Sequence, residues 1–265
     1  MDSAEYEYKG LMAETWDILR GDTSKWADRF FYLEVIHQYG QPVLDVGCGT
    51  GRLLLDYLGL GVEIDGVDNS PEMLEICSHK AKKLGLTPNM YNQDLESLDL
   101  PRQYQVILIP SSTIQLLTDV KKAEIALKKL YDQLLPGGVL AASIMTIWQP
   151  GEPLYSEWEK TVVNEENGHK FRRVARGWFD PESECERSED LYQLIIGDQV
   201  VKQELHQRDP ATRSYTQLQA CNLIEKAGFK EMKLFSEFTF EPVKKKLLYS
   251  PLWQSKKQRV NPTTP

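Results

Sequence analysis

Residues 43–52, Val43-Leu44-Asp45-Val46-Gly47-Cys48-Gly49-Thr50-Gly51-Arg52, run from a short apolar segment into a glycine-rich turn. Alternate glycines let a chain turn sharply and bring a ligand against its backbone, where a Cβ would intrude. A helix following such a turn offers unpaired N–H groups and the positive end of its dipole. The spacing G-x-G-x-G departs from the dinucleotide fingerprint G-x-G-x-x-G, because Arg52 stands where the last glycine would be. No Lys-Ser/Thr pair follows, which excludes a phosphate-gripping P-loop.

Outward from this turn the pattern is strand-helix alternation. Arg52–Leu58 reads as a helix, Val62–Val67 as a strand, and Pro71–Leu84 as a helix with proline in its first turn. Met90–Asn92 and Tyr104–Ile109 are further strands. Asp119–Leu134 is a helix closed by Pro136-Gly137-Gly138, and Val139–Ile144 is a fifth strand. Apolar strands alternating with helices imply an α/β fold, a parallel sheet covered on both faces. Upstream, Tyr8, Leu11, Met12, Trp16 and Leu19 recur at helical intervals. Gly21-Asp22-Thr23-Ser24 offers N-caps for a second helix over Trp26–Tyr39, closed by Gly40 ahead of Pro42. Downstream, Asn167-Gly168 and Gly197-Asp198 are hairpin signals between strand-like runs, so an antiparallel sheet is inserted into the α/β body. A helix over Thr216–Ala227 and a strand near Met232–Phe238 resume the main pattern, and part of Leu247–Gln258 is the candidate for a final strand. The expected division is a helical cap over 1–40, a core over 41–150, an inserted sheet acting as a lid over 151–210, and completion of the core with a basic tail over 211–265.

The chain has 265 residues and a formal charge of −8, and 41% hydrophobic content excludes wholesale disorder. The last 22 residues, from Lys244, carry six Lys+Arg and no acid, which leaves −14 on residues 1–243. An acidic body opposes an extended nucleic-acid groove, and only the tail runs Lys244-Lys245-Lys246 and Lys256-Lys257-Gln258-Arg259 keep a polyanionic partner open. No stretch reaches the roughly eighteen apolar residues of a membrane span, and the N-terminus has no basic-then-apolar leader pattern. Cys48, Cys77, Cys185 and Cys221 show neither CxxC nor metal-ligand spacing, and His37, His79 and His169 form no cluster. The expectation is a reduced, cytoplasmic protein without a metal site.

An acid sits at each of three strand ends: Asp45 in the first, Asp68 after the second and Asp94 after the third. Negative charge there opposes a pyrophosphate and suits a cationic ligand with hydroxyls and an amine to donate. S-adenosylmethionine fits. Asp68 is placed to accept from both ribose hydroxyls and Asp94 from the adenine amine, near the Leu95 backbone. Asn69 and Met73 flank the adenine. The backbone of Gly47, Cys48, Gly49 and Gly51 meets the methionyl portion, and Asp45 orients its ammonium group.

The block VLDVGCGTGRLLLDYLGLGVEIDGVDNSPEML strongly resembles the class I S-adenosylmethionine-dependent methyltransferases, through D-V-G-C-G-T-G, V-D-x-S-x-x-M-L and a following Q-D. The resemblance covers roughly residues 1–145. It implies a Rossmann-like sheet of seven strands, the last antiparallel, with helices on both faces. Trp16-Asp17-Ile18-Leu19-Arg20-Gly21-Asp22-Thr23 is similar to the opening helix of glycine/sarcosine N-methyltransferases. That similarity implies that Trp16 and Tyr8 cover the sulfonium; the residues alone read equally as helix core.

The strand ending at Ile109 leads into Pro110-Ser111-Ser112-Thr113-Ile114-Gln115, beyond the carboxyl end of the sheet, where the reacting methyl is expected. Ser111 and Gln115 stand where the glycine N-methyltransferase pattern has asparagine and histidine, which argues against glycine as acceptor. Trp148, Arg176, Trp178, His206, Arg213 and Tyr215 are the lid candidates for acceptor contact, each with packing as its alternative role. The functional expectation is methyl transfer to nitrogen or oxygen of a small-molecule acceptor, in a chain that dimerises through the insert as related enzymes do. The alternatives are an RNA or protein methyltransferase using the tail, and a non-catalytic cofactor-binding regulator.

Overall fold

The computed structural model describes residues 8–242 and the backbone of Pro251–Lys256. Apart from Lys256, whose backbone is described, the basic tail runs lie outside the described residues.

Seven strands form the main sheet, ordered β10-β11-β5-β4-β1-β2-β3. They are β1 (Val43–Val46), β2 (Ile64–Asp68), β3 (Asn89–Asn92), β4 (Tyr104–Ile109), β5 (Leu134–Ser143), β10 (Glu231–Ser236) and β11 (Pro251–Lys256). The first five pair in parallel, and β11 runs antiparallel to both of its neighbours. This is the expected α/β, Rossmann-like sheet with its last strand reversed. β1 and β4 are buried at nearly every position because apolar clusters cover both faces.

Local chemistry sets the helix ends. α5 (Pro71–Leu84) starts under Ser70, whose hydroxyl accepts from Met73 N at 3.1 Å, and stops at left-handed Gly85. α6 (Val120–Asp132) is capped by Asp119, and α7 (Gln217–Lys226) by a reciprocal Thr216/Gln219 box. Four boundaries differ from the sequence expectation. The first segment splits into α1 (Gly10–Glu14) and α2 (Trp16–Arg20) at buried Thr15, whose hydroxyl bonds back to Leu11 O at 2.6 Å. α3 (Ala27–Tyr39) begins after Trp26, while Asp22 closes a small turn on Ser24 N instead of capping it. α4 (Leu54–Gly59) starts two residues late, because the glycine turn continues through Leu53. Pro136-Gly137-Gly138 lies inside β5, where the pairing with β4 slips past Gln105.

The insert is an antiparallel sheet of four strands: β6 (Tyr155–Val163), β7 (Lys170–Asp180), β8 (Cys185–Ile196) and β9 (Gln199–Arg213). Its two outer hairpins turn at the expected dipeptides. The N-terminal helices are pinned between it and the core. Gly10 N donates to Glu72 Oε2 of α5, and Leu11 N to Glu204 Oε2 of β9, both at 2.6 Å. Lys202 of β9 reaches Glu14 at 2.9 Å. Among the described residues, no helix is long and apolar enough to cross a membrane.

Ile107 is fully buried at mid-sheet, paired with Leu44 and Leu140. Ile107→Ala should destabilise the chain by about 2–5 kcal/mol in urea unfolding; a loss under about 1 kcal/mol would show that the sheet centre is not a close-packed core.

Candidate active site at the carboxyl edge of the sheet

The glycine turn crosses from β1 to α4 at the carboxyl edge of the parallel strands. Gly47 and Gly51 take φ of +68° and +83°. A Cβ on Gly47 would sit 2.7 Å from the Thr113 side chain, and one on Gly51 would sit 2.5 Å from Cys77 Sγ. Both positions therefore need glycine, for conformation and for space. Asp68 ties the turn down: its two carboxylate oxygens accept from Gly49 N at 2.8 Å and Ser70 N at 2.9 Å. Burial raises Asp68 above the usual carboxylate range, with these bonds pulling the other way.

A cavity opens over the turn, lined by the ends of β1, β2 and β4, the segment after β3 and the N-terminal helices. Of the sequence-predicted residues, Tyr8, Trp16, Asp45, Gly47, Cys48 and Gly49 line it, as do Asp68, Asn69, Met73, Asp94, Leu95, Pro110 and Ser111. Tyr8 and Trp16 meet edge to face at 4.9 Å, and Asn69 Nδ2 donates to Asp94 Oδ1 at 3.3 Å. Asp45 is buried, and its Oδ1 has no partner among the described residues. Burial pushes its pKa up to about 7, opposed in part by the charge of Arg52.

Reading the sequence missed Arg20, Arg52 and Thr50, which share the lining. Thr50 donates to Asp17 at 2.6 Å, and Lys80 reaches the same carboxylate at 2.8 Å, so α2 is fastened over the turn. Arg52 is spent on Asp28, with contacts of 2.5 and 3.1 Å. Arg20 lies over the Trp16 ring at 4.3 Å and has no carboxylate within ion-pair distance among the described residues. Burial, with Arg52 nearby, holds it below the usual arginine value. Its i+4 spacing from Trp16 was the available signal.

Other predicted residues are placed elsewhere. Gly51 packs behind the turn rather than lining the cavity. Ser112 is buried with φ +60°, its N bonded to Ser143 and its hydroxyl to Met145 N. Gln115 is fully buried and clamps Met145 and Arg213 through their backbones. Arg213 bonds Thr118 O at 2.7 Å and Glu184 at 3.4 Å. Tyr215 joins the main apolar cluster, its hydroxyl buried without a partner among the described residues. Trp148 stacks on Phe179 at 5.1 Å, and Trp178 carries Arg187 at 4.2 Å on a separate surface hollow. Arg176 does line a hollow beside this cavity, against the inserted sheet, where it faces Glu157; His206 contacts Glu204 at 3.3 Å. Among the described residues, no group of three or more His, Cys, Asp or Glu side chains is arranged to hold a metal ion.

An open sheet in this order, with a glycine turn after β1 and a held carboxylate after β2, defines the nucleotide-cofactor class of α/β proteins. Residues 43–138 match the family described as a methyltransferase domain. The chain is 32% identical over 104 residues to the carboxy-S-adenosyl-L-methionine synthase of Nitratiruptor sp., covering 38% of this chain and 42% of that protein. It is 25% identical over 155 residues to the ubiquinone biosynthesis O-methyltransferase of Nitrobacter winogradskyi, covering 52% and 57%. The chain thus spans about half the length of the curated relatives it matches. An S-adenosylmethionine-dependent methyltransferase structure from Clostridium acetobutylicum superposes with a TM-score of 0.71, over 90% of this chain and 93% of that one. At 18% identity this is a likeness of fold. Residues 43–138 thus match the methyltransferase-domain family, and the chain shares the fold of that solved methyltransferase structure.

Asp45 titrates at about 7 when folded against 3.8 when exposed, so between these values the folded chain keeps a proton that the unfolded chain releases. This contribution to stability therefore falls as pH rises from about 4 to about 7. Urea midpoints of Asp45→Asn against the parent across that window should differ in slope in this sense. Parallel slopes would remove the assignment.

Proposed function

We propose that the chain transfers the methyl group of S-adenosylmethionine to a nitrogen or oxygen of a small-molecule acceptor held between the glycine turn and the inserted sheet. The observation that carries this reading is the presence, in one cavity, of a carboxylate oxygen on Asp45 without a partner and an Arg20 guanidinium without a counter-ion, both among the described residues. Each is costly to bury alone, and an amino-acid end, ammonium and carboxylate together, answers both.

On this reading Asp45 holds the ammonium and Arg20 the carboxylate of the methionyl portion, against the backbone of Gly47, Cys48 and Gly49. Asp68 keeps free lone pairs for the ribose hydroxyls, being already oriented by two N–H groups. Asp94 and Leu95 serve the adenine amine, with Asn69 and Met73 at its faces. Tyr8 and Trp16 close the cavity with aromatic surface, which favours a cation. Bound there, S-adenosylmethionine supplies a methyl group already activated by a positive sulfur. The chain's task is then mainly to orient the acceptor near Pro110 and Ser111 and to exclude water.

A cytoplasmic location fits the four cysteines left free. A homodimer through the inserted sheet fits Val200, Val201 and Leu205, about half exposed on edge strand β9.

Calorimetry should give S-adenosylmethionine binding, and no heat at sub-millimolar ligand would overturn the reading. Asp68→Ala and Arg20→Ala should each weaken binding by roughly tenfold or more; unchanged affinity would remove that contact. Light scattering should give twice the 30.5 kDa chain mass. A monomer at all concentrations would exclude the dimer.

A further inference from the structure

A second hollow adjoins the first and shares Tyr8, Trp16 and Leu116 with it. Its other wall is the face of the inserted sheet. Strand alternation places Glu186, Ser188, Asp190 and Tyr192 of β8 on that face. The register sets Ser156, Gly177 and Ser188 side by side across β6, β7 and β8, so the middle of the wall is made of small residues.

The charges here are unequally matched. Arg173 donates twice to Asp190, at 2.9 and 2.7 Å. Arg176 faces Glu157 at 3.4 Å, and Arg208 lies over the Tyr8 ring at 4.6 Å. Glu186 lines the hollow, and its side chain has no hydrogen bond or ion pair among the described residues. Its carboxylate hangs over Gly177: a Cβ there would lie 2.6 Å from Glu186 Oε1 and 2.9 Å from Ser156 Oγ. Two oxygens thus converge on the space a side chain would otherwise fill.

We propose that this hollow is the acceptor subsite and that Glu186 selects an amine, bound between its carboxylate and Ser156 over Gly177. The proposal rests on the methyltransferase reading for the fate of that amine. The bound ammonium first gives one proton to the Glu186 carboxylate; the lone pair so freed forms the N–CH3 bond, and the S–CH3 bonding pair stays on sulfur. A bound cation also relieves a carboxylate that burial, with Asp190 nearby, holds above its usual range. A hydroxyl acceptor leaves that charge uncompensated, and a carboxylate acceptor repels it.

The test measures binding of cyclohexylamine, cyclohexanol and cyclohexanecarboxylate to the full chain by saturation-transfer NMR, with and without S-adenosylhomocysteine. Cyclohexylamine should bind at millimolar concentration, roughly tenfold more weakly to Glu186→Gln. Gly177→Val, which fills the hollow on an ordinary strand backbone, should abolish it. Cyclohexanol should not distinguish the parent from Glu186→Gln. Both variants should bind S-adenosylhomocysteine as the parent does, which separates a lost subsite from a lost fold. Equal cyclohexylamine binding by parent and Glu186→Gln, no binding by the parent, or a preference for the carboxylate would each overturn the amine assignment. If S-adenosylhomocysteine fails to bind the parent while cyclohexylamine behaves as expected, the cofactor reading falls and the amine subsite stands.

Discussion

The Asp68 carboxylate, held by Gly49 N at 2.8 Å and Ser70 N at 2.9 Å, is the contact on which the rest of the site depends. It joins the end of β2 to the glycine turn on one side and the start of α5 on the other. A buried carboxylate without such donors would be expensive, and a glycine turn without an anchor would lose most of its order to entropy. Together they hold a run of backbone N–H groups rigid at the sheet edge while leaving oxygen lone pairs toward the cavity. Ser70 extends the arrangement, because its hydroxyl both caps α5 and donates to Tyr8 O. One carboxylate thereby sets the turn, the helix and the docking point of the N-terminal segment.

That segment is the mechanical link between the two sheets. α1 and α2 have five residues each, too short to persist alone. They are held by carboxylates of both bodies, Glu72 from α5 and Glu204 from β9, and by the Thr50–Asp17–Lys80 chain. Their apolar residues Leu11, Met12 and Leu19 pack with Tyr192 of the insert. Tyr8 and Trp16 consequently stand on the partition between the two hollows.

How much of this was legible depended on the range of the forces concerned. Pro71 to Gly85 was readable because its cap, first-turn proline and left-handed stop are all local. The hairpins at Asn167-Gly168 and Gly197-Asp198 were readable because turn chemistry selects them. Among the lid candidates Arg176 does line the hollow beside the insert, and the others were not legible. Gln115 looked like an acceptor contact from its position after β4, yet its amide is consumed by Met145 and by Arg213, 98 residues away. Gly51 looked like part of the cofactor backbone, yet its missing side chain makes room for Cys77. Glu186 drew no attention, since its surroundings come from three strands and from a glycine on another of them.

The sequence by itself determined the alternation of strands and helices, the glycine turn, the acids at three strand ends and the two hairpins of the insert. Each is written within a few residues, in periodicity, caps and turn types that need no distant partner. Tertiary structure alone decided which charges would be spent and which left over. Arg52 is neutralised by Asp28 and Arg173 by Asp190, while Arg20, Asp45 and Glu186 have no counter-ion within ion-pair distance among the described residues. The physical reason is that the worth of a charge depends on its burial and its counter-ion. Both are properties of the packed chain, and no local stretch of sequence contains them.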